Sequence, residues 1–141
     1  MEQKKDNGRL PIKIEQLVTG YEFPSSSYEL KTSVIARYLE AVGGSNRQNE
    51  LAGEFVPPMA VAAYTMTAVA QSMALPPGTI HASQELEFLK LVPVGASINC
   101  QGRVAQKVDR GRLHMLVIEL EALNQQQERV MAGQATLITP D

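Results

Sequence analysis

Pro57-Pro58-Met59-Ala60-Val61-Ala62-Ala63-Tyr64-Thr65-Met66-Thr67-Ala68-Val69-Ala70-Gln71-Ser72-Met73-Ala74 is the stretch that decides the fold. From Met59 to Ala74 it carries no charged residue. The proline pair suits the first turn of a helix, where a missing N–H costs little. Leu75-Pro76-Pro77-Gly78 then stops the run sharply. The run is short for a membrane span, and Tyr64, Thr65, Thr67, Gln71 and Ser72 interrupt its apolar surface. It therefore predicts a helix over Pro57–Ala74, enclosed by apolar neighbours on every side.

The residues that follow supply the enclosure. Ile80–Leu91 alternates, with Ala82, Leu86 and Phe88 on one side and His81, Ser83, Glu85 and Glu87 on the other. Ala96–Val108 repeats the pattern through Ile98, Cys100, Val104 and Val108, Leu113–Leu123 is a longer β-rich run, and Val130–Thr139 is a fourth. Turns are expected at Pro93-Val94-Gly95, Asp109-Arg110-Gly111 and Asn124–Gln127. Strands that succeed one another without helices between them predict an antiparallel sheet, so one helix must lie across one face of it. Upstream, Tyr28–Lys31 reads as a short strand. Ser33–Val42 reads as an amphipathic helix, capped by Thr32 or Ser33 and ended by Gly43-Gly44. The fold class is α+β.

Composition bounds the rest. The chain has 141 residues and a net charge of −2, is 44% hydrophobic and 20% charged, and holds a single cysteine. That length fills one core, over residues 10–141, with residues 1–9 as a solvated tail. Scattered Lys and Arg argue against a nucleic-acid or anionic-membrane surface. Two distant histidines and one cysteine build neither a disulfide framework nor a Cys/His metal site, so no metal or cofactor is expected. Met1–Asn7 is charged rather than apolar, unlike a signal peptide, and a cytoplasmic location is expected.

A strand, a buried helix and four antiparallel strands in this order resemble the hotdog fold, a sheet wrapped around one long helix. Finer features resemble the MaoC-like hydratase/dehydratase group, in particular its FAS1-like dehydratase type. These are the loop Gly43-Gly44-Ser45-Asn46-Arg47-Gln48-Asn49, then Phe55-Val56-Pro57-Pro58-Met59 opening the helix. His81-Ala82-Ser83-Gln84-Glu85-Leu86-Glu87-Phe88 follows, and then Pro93-Val94-Gly95-Ala96. The likeness runs from about residue 12 to residue 139. It implies an acyl thioester on CoA or acyl carrier protein as ligand. It also implies a homodimer, or a heterodimer with a catalytic hotdog subunit.

Active members of that group add water across the double bond beside the thioester, and need a carboxylate and an imidazole to activate it. They supply the pair from a G-D-x-N-P-x-H loop. Here Gly43 and Asn46 match, but Gly44 stands at the aspartate, Arg47 at the proline and Asn49 at the histidine. No Asp or His occurs anywhere between Asn7 and Gly78, so no shift of alignment restores the pair. Pro58 also replaces a glycine whose N–H would point at the thioester carbonyl, leaving Met59 and Ala60 to offer amides. The resemblance thus implies a binding surface at Asn46, Asn49, Met59, Ala60 and His81 that lacks its own acid/base pair.

Displaced groups keep a second reading open, an active hydratase or acyl-CoA thioesterase. His81, Glu54 and Glu50 are its candidate catalysts, each with a plainer alternative as a hydrogen-bonded or solvated surface group. His81 and Glu85 lie roughly 13 Å apart along a strand and make no dyad, whereas Glu85 and Glu87, about 7 Å apart, read as a solvated face. Met59, Met66 and Met73 recur at spacing seven, as core or as the wall of an acyl tunnel. Cys100 reads as a buried small hydrophobe and His114 as a rim residue. A third reading is a non-acyl binding module that reuses the fold.

Overall fold

The computed structural model describes residues 10–43 and 54–140. The expected tail and Gly44, Asn46, Arg47, Asn49 and Glu50 lie outside the described residues. In chain order the elements are β1 (Ile12–Lys13), a 3-10 turn (Ile14–Gln16), β2 (Ser26–Glu29), α1 (Thr32–Ala41), α2 (Pro58–Ala70), β3 (Met73–Ala74), β4 (Ile80–Phe88), β5 (Ser97–Arg110), β6 (Leu113–Leu123) and β7 (Arg129–Pro140).

The long strands form one antiparallel sheet in the order β2-β5-β6-β7-β4, with β2 and β4 at its edges. Alternation along β5 and β6 sends Cys100, Val104, Leu116, Ile118, Leu120 and Ala122 to the concave face, where all are buried. Helix α2 lies on that face and buries Ala60, Val61, Ala62, Thr65, Ala68 and Val69. It comes close to the sheet at Gly102, where an added Cβ would sit 2.6 Å from a Val69 methyl, so a glycine lets helix and sheet touch. Among the described residues, no helix is long and apolar enough to cross a membrane.

Helix α2 has 13 residues and ends at Ala70, four short of the expected limit. Tertiary pairing takes the rest: Met73–Ala74 forms a parallel bridge with Ile12–Lys13, a two-stranded sheet the sequence does not announce. The methionine stripe is thereby broken up. Met59 is 48% exposed, Met66 is half-buried on the helix, and Met73 is buried in β3. Helix α1 begins one residue early, after Lys31, which makes no side-chain capping bond, so neither Thr32 nor Ser33 is its cap. Gly43 ends it at a φ of +70°, the left-handed conformation glycine adopts without cost.

The two edges of the sheet are finished differently. Beyond the short β2, the outer side of β5 is covered by Gly20–Phe23. Gly20 N–H donates to Val104 O at 2.7 Å, Val104 N–H to Tyr21 O at 2.8 Å, and Phe23 N–H to Gly102 O at 2.9 Å. The opposite edge, β4, is nine residues long, and seven of them are exposed, only Gln84 and Leu86 being half-buried.

Candidate functional site

The start of α2 is stitched to the β4–β5 connection. Val56 N–H donates to Val92 O at 2.7 Å, and Val94 N–H to Glu54 O at 3.0 Å. Pro57 caps the helix, and its carbonyl accepts the Ala60 N–H at 2.9 Å, so that amide is spent on the first turn. The Ala60 side chain is fully buried. Met59 stands out into solvent, and Glu54 is exposed just before it. The helix start thus offers an outward-facing Met59 beside one carboxylate, with positive dipole behind them.

Beneath the first half of α2 lies a sealed polar knot. The Thr65 hydroxyl is shared between the Val61 carbonyl at 2.8 Å and the Cys100 sulfur at 3.3 Å. Burial pushes the Cys100 thiol up to about 11, the Thr65 contact pulling the other way. It stays protonated at neutral pH and is no nucleophile. Burial first, then Cys100 and Tyr64, pushes the neighbouring Tyr28 hydroxyl up to about 12 against the pull of Ser26. Tyr28 and Tyr64 rings meet at 5.0 Å. No substrate reaches this knot without opening the core.

Beneath the second half the packing is incomplete. Met66 and Ala70 of α2, Leu120 of β6, and Ala135 and Leu137 of β7 wall an apolar groove of about 260 Å³. His81 and Thr79 stand at its rim. Strict alternation would send His81 to the far face with Glu85 and Glu87. The pairing of β4 with β7 slips between His81 and Ser83, leaving Ala82 as an extra, bulged residue. His81 therefore opposes Leu137, Gln84 opposes Ala135, and both side chains turn to the concave, helix-covered face. That corrects the expected sidedness of His81.

The His81 imidazole is held from one side. Its Nε2 lies 2.9 Å from Gln84 Oε1, and the Gln84 amide nitrogen lies 3.2 Å from both the Glu85 and the Gln134 carbonyls. Because the amide N–H groups are used on carbonyls, Oε1 is the acceptor, so Nε2 is the ring nitrogen that donates and Nδ1 is left facing away from Gln84. An amide oxygen orients the ring but brings no negative charge to it, unlike the carboxylate of an acid–base dyad. The expectation that Glu85 gives His81 no local dyad agrees with this geometry: Glu85 opposes Gln134 on the other face.

The one hydrogen-bonded Asp–His pair among the described residues is Asp109–His114, directly opposed on β5 and β6. The hydrogen bond from His114 leads in holding the Asp109 carboxyl below its usual range, with Lys107 helping. It was not foreseen, because nothing in the spacing distinguishes a cross-strand pair from two rim residues. Seven residues separate Asp109 from Gly102, which meets Val69 in the last turn of α2, about 20 Å along β5 at strand rise, so the pair is remote from that contact.

Residues 17–133 match the family model described as the FAS1-like dehydratase domain region. Several solved structures share the architecture. An (R)-hydratase of Pseudomonas aeruginosa, PhaJ1, superposes with a TM-score of 0.73 at 18% identity, over 90% of this chain and 84% of its own. A MaoC-like dehydratase from Rhodospirillum rubrum gives 0.69 at 21% identity, over 90% and 95%. A chain of the HadBC (3R)-hydroxyacyl-ACP dehydratase complex from Mycobacterium tuberculosis gives 0.68 at 16% identity, over 89% and 99%. No curated protein matches by sequence. With five antiparallel strands curved around α2 and a family match spanning most of its length, the chain is a hotdog-fold protein and belongs to the FAS1-like dehydratase-region family.

Proposed function

We propose that this chain is the acyl-binding, non-catalytic half of a two-subunit acyl-thioester hydratase or dehydratase of the cytoplasm. The observation that carries the reading is the lack of any Asp or His between residues 8 and 77, the span in which the family places its water-activating pair. Asn46 and Asn49 remain, as residue types, neutral groups able to hydrogen-bond a thioester or its pantetheine arm, and Met59 stands exposed at the start of the helix that follows them in the chain. The apolar groove beside Met66 and Leu137 suits the chain of an acyl group, since burying methylenes there contributes about 0.8 kcal/mol each. In this reading a partner subunit supplies the acid and base; one neighbour in fold, the HadBC (3R)-hydroxyacyl-ACP dehydratase, is likewise a complex.

The test is hydration of short and long trans-2-enoyl-CoA by the purified chain, followed at the absorbance of the conjugated thioester. The expected result is no loss of absorbance with the chain alone, while calorimetry registers binding that strengthens with chain length. Ala135→Phe, which fills the groove, should remove the chain-length dependence and spare the short substrate.

The bulge at Ala82 favours one alternative, an enzyme in which Nδ1 of His81 serves as general base at the mouth of the groove. Turnover by the chain alone that His81→Ala abolishes would establish it. Turnover that survives His81→Ala but falls in Glu54→Gln or Glu50→Gln would move the chemistry to the loop before α2.

A further inference from the structure

We infer that the far end of the concave face, beyond α2, is a second binding site, for a short aliphatic monocarboxylate held by His114 and Lys13. It lies apart from the groove beside Met66 and does not depend on the functional reading above. The pairing of β5 with β6 slips between Val104 and Gln106, leaving Ala105 as an extra, bulged residue. Side chains beyond the bulge change faces, so Lys107 opposes the buried Leu116 and Asp109 opposes His114 on the concave side. Lys107 accordingly donates to Ile14 O at 3.0 Å, and Ile14 packs in the core with Val104 and Leu116. Thr139 of β7 is directly opposite His114, so Asp109, His114 and Thr139 form one row across three strands. Lys13, Glu15 and His114, together with Ile14, Ala74 and Pro76, wall a cavity of about 470 Å³ at this row. The segment Met73–Pro76, which includes β3, divides it from the groove: Met73 and Leu75 line the groove, Ala74 and Pro76 the cavity.

Charge selects the head group. Nδ1 of His114 is hydrogen-bonded to the Asp109 carboxylate, which favours the protonated ring. The imidazolium and the Lys13 ammonium then share the cavity wall with one acid, Glu15, while Asp109 and Lys107 behind it cancel. One net positive charge suits a monoanion, and a phosphate dianion exceeds it. Hydrogen bonding points the same way. Thr139 is fully buried, and its Oγ1 has no partner among the described residues. Opposed residues hold their Cβ atoms about 4.5–5.5 Å apart, so an acceptor settled against the His114 ring gives this hydroxyl a partner. Ile14, Ala74 and Pro76 set the body of the ligand, because a short alkyl chain shields their hydrocarbon from water. The turn that carries Lys13 is already fixed, by Lys107 on Ile14 O and by the Lys13 N–H on Gln16 Oε1 at 3.3 Å. Little ordering therefore accompanies binding.

The chain has two histidines, His81 at the rim of the groove and His114 in this cavity, so their imidazole proton signals report which space a ligand enters. The test titrates the full chain with hexanoate at fixed pH and ionic strength, the two signals being assigned from His81→Ala and His114→Gln. The His114 signal should move and saturate while the His81 signal stays in place. Lys13→Gln should weaken binding roughly tenfold, through loss of one charge-assisted hydrogen bond. Thr139→Val, which keeps the shape and removes the hydroxyl, should weaken it several-fold. A His114 signal that hexanoate does not move overturns the inference, and so does movement of the His81 signal alone. It is equally overturned if hexylamine or inorganic phosphate moves the His114 signal at lower concentration than hexanoate. Unchanged affinity in both Lys13→Gln and Thr139→Val, with native circular dichroism, overturns it as well. No thioester enters the titration, so failure of the functional reading and failure of the carboxylate site are seen separately.

Discussion

The two halves of α2 lie on the same sheet yet meet it differently. Under Val61 and Thr65 the sheet presents Tyr28, Ile98 and Cys100, each at most 2% exposed, with the Thr65 hydroxyl on the Cys100 thiol and the Tyr28 ring against Tyr64. Under Met66 and Ala70 it presents Ala135 and Leu137, and a groove of about 260 Å³ is left. Both halves are apolar in sequence. What separates them is the volume of the opposing strand residues, not their polarity, and a close-packed interior turns such a difference into a cavity. The sealed half holds the helix in place, whereas the open half leaves unfilled space beside it.

The comparison is sharpest in the core. Ile98→Ala should cost about 3–4 kcal/mol in urea unfolding, because a sealed site cannot collapse around the lost atoms. Gly133→Ala should cost about 2–3 kcal/mol, since its Cβ would stand 2.7 Å from the Glu85 carbonyl oxygen and force β4 off β7. Met66→Ala, on the wall of the groove, should cost less than about 1 kcal/mol while enlarging the site for longer acyl chains. Equal losses for Ile98→Ala and Met66→Ala would erase the distinction between the halves.

A chemical probe sharpens it further. Native Cys100 should resist iodoacetamide at pH 8 and react at the free-thiol rate only in urea. Its raised pKa favours the folded state below the unfolded thiol value, and that contribution disappears as pH rises through about 11. Fast labelling of the folded protein would show that the sealed half opens. The smallest effect is expected far from α2, at Asp109–His114. The Asp109 carboxyl is lowered, so its contribution to stability exists above the ordinary carboxylate range and is lost as pH falls through its folded value. Asp109→Asn should therefore shift the urea midpoint slightly at pH 6, and not at all once the carboxylate is protonated.

Much of this was legible beforehand. Alternation in β5 and β6 reads cleanly, because one face is buried and the other wet. The uncharged run from Met59 marks the buried helix, and Gly43 marks the end of α1. The end of α2 did not read, because Met73 and Ala74 are as apolar in a helix as in a strand, and their pairing with Ile12 and Lys13 spans some sixty residues of chain. The site was half legible. The missing acid/base pair is a statement about residue types and needs no coordinates. The position of His81 does need them.

Composition, hydropathy period and residue chemistry by themselves determined an α+β sheet around a buried helix, and the absence of an Asp/His pair between residues 8 and 77. Tertiary structure alone decided which face of β4 carries His81. A side-chain period of two turns one extra residue into a reversal of sides, and only the pairing with β7 reveals that Ala82 is that residue. It also decided which edge stays open. The segment Gly20–Phe23 folds back over β5 and leaves β4 bare, an outcome set by contacts between residues about eighty positions apart.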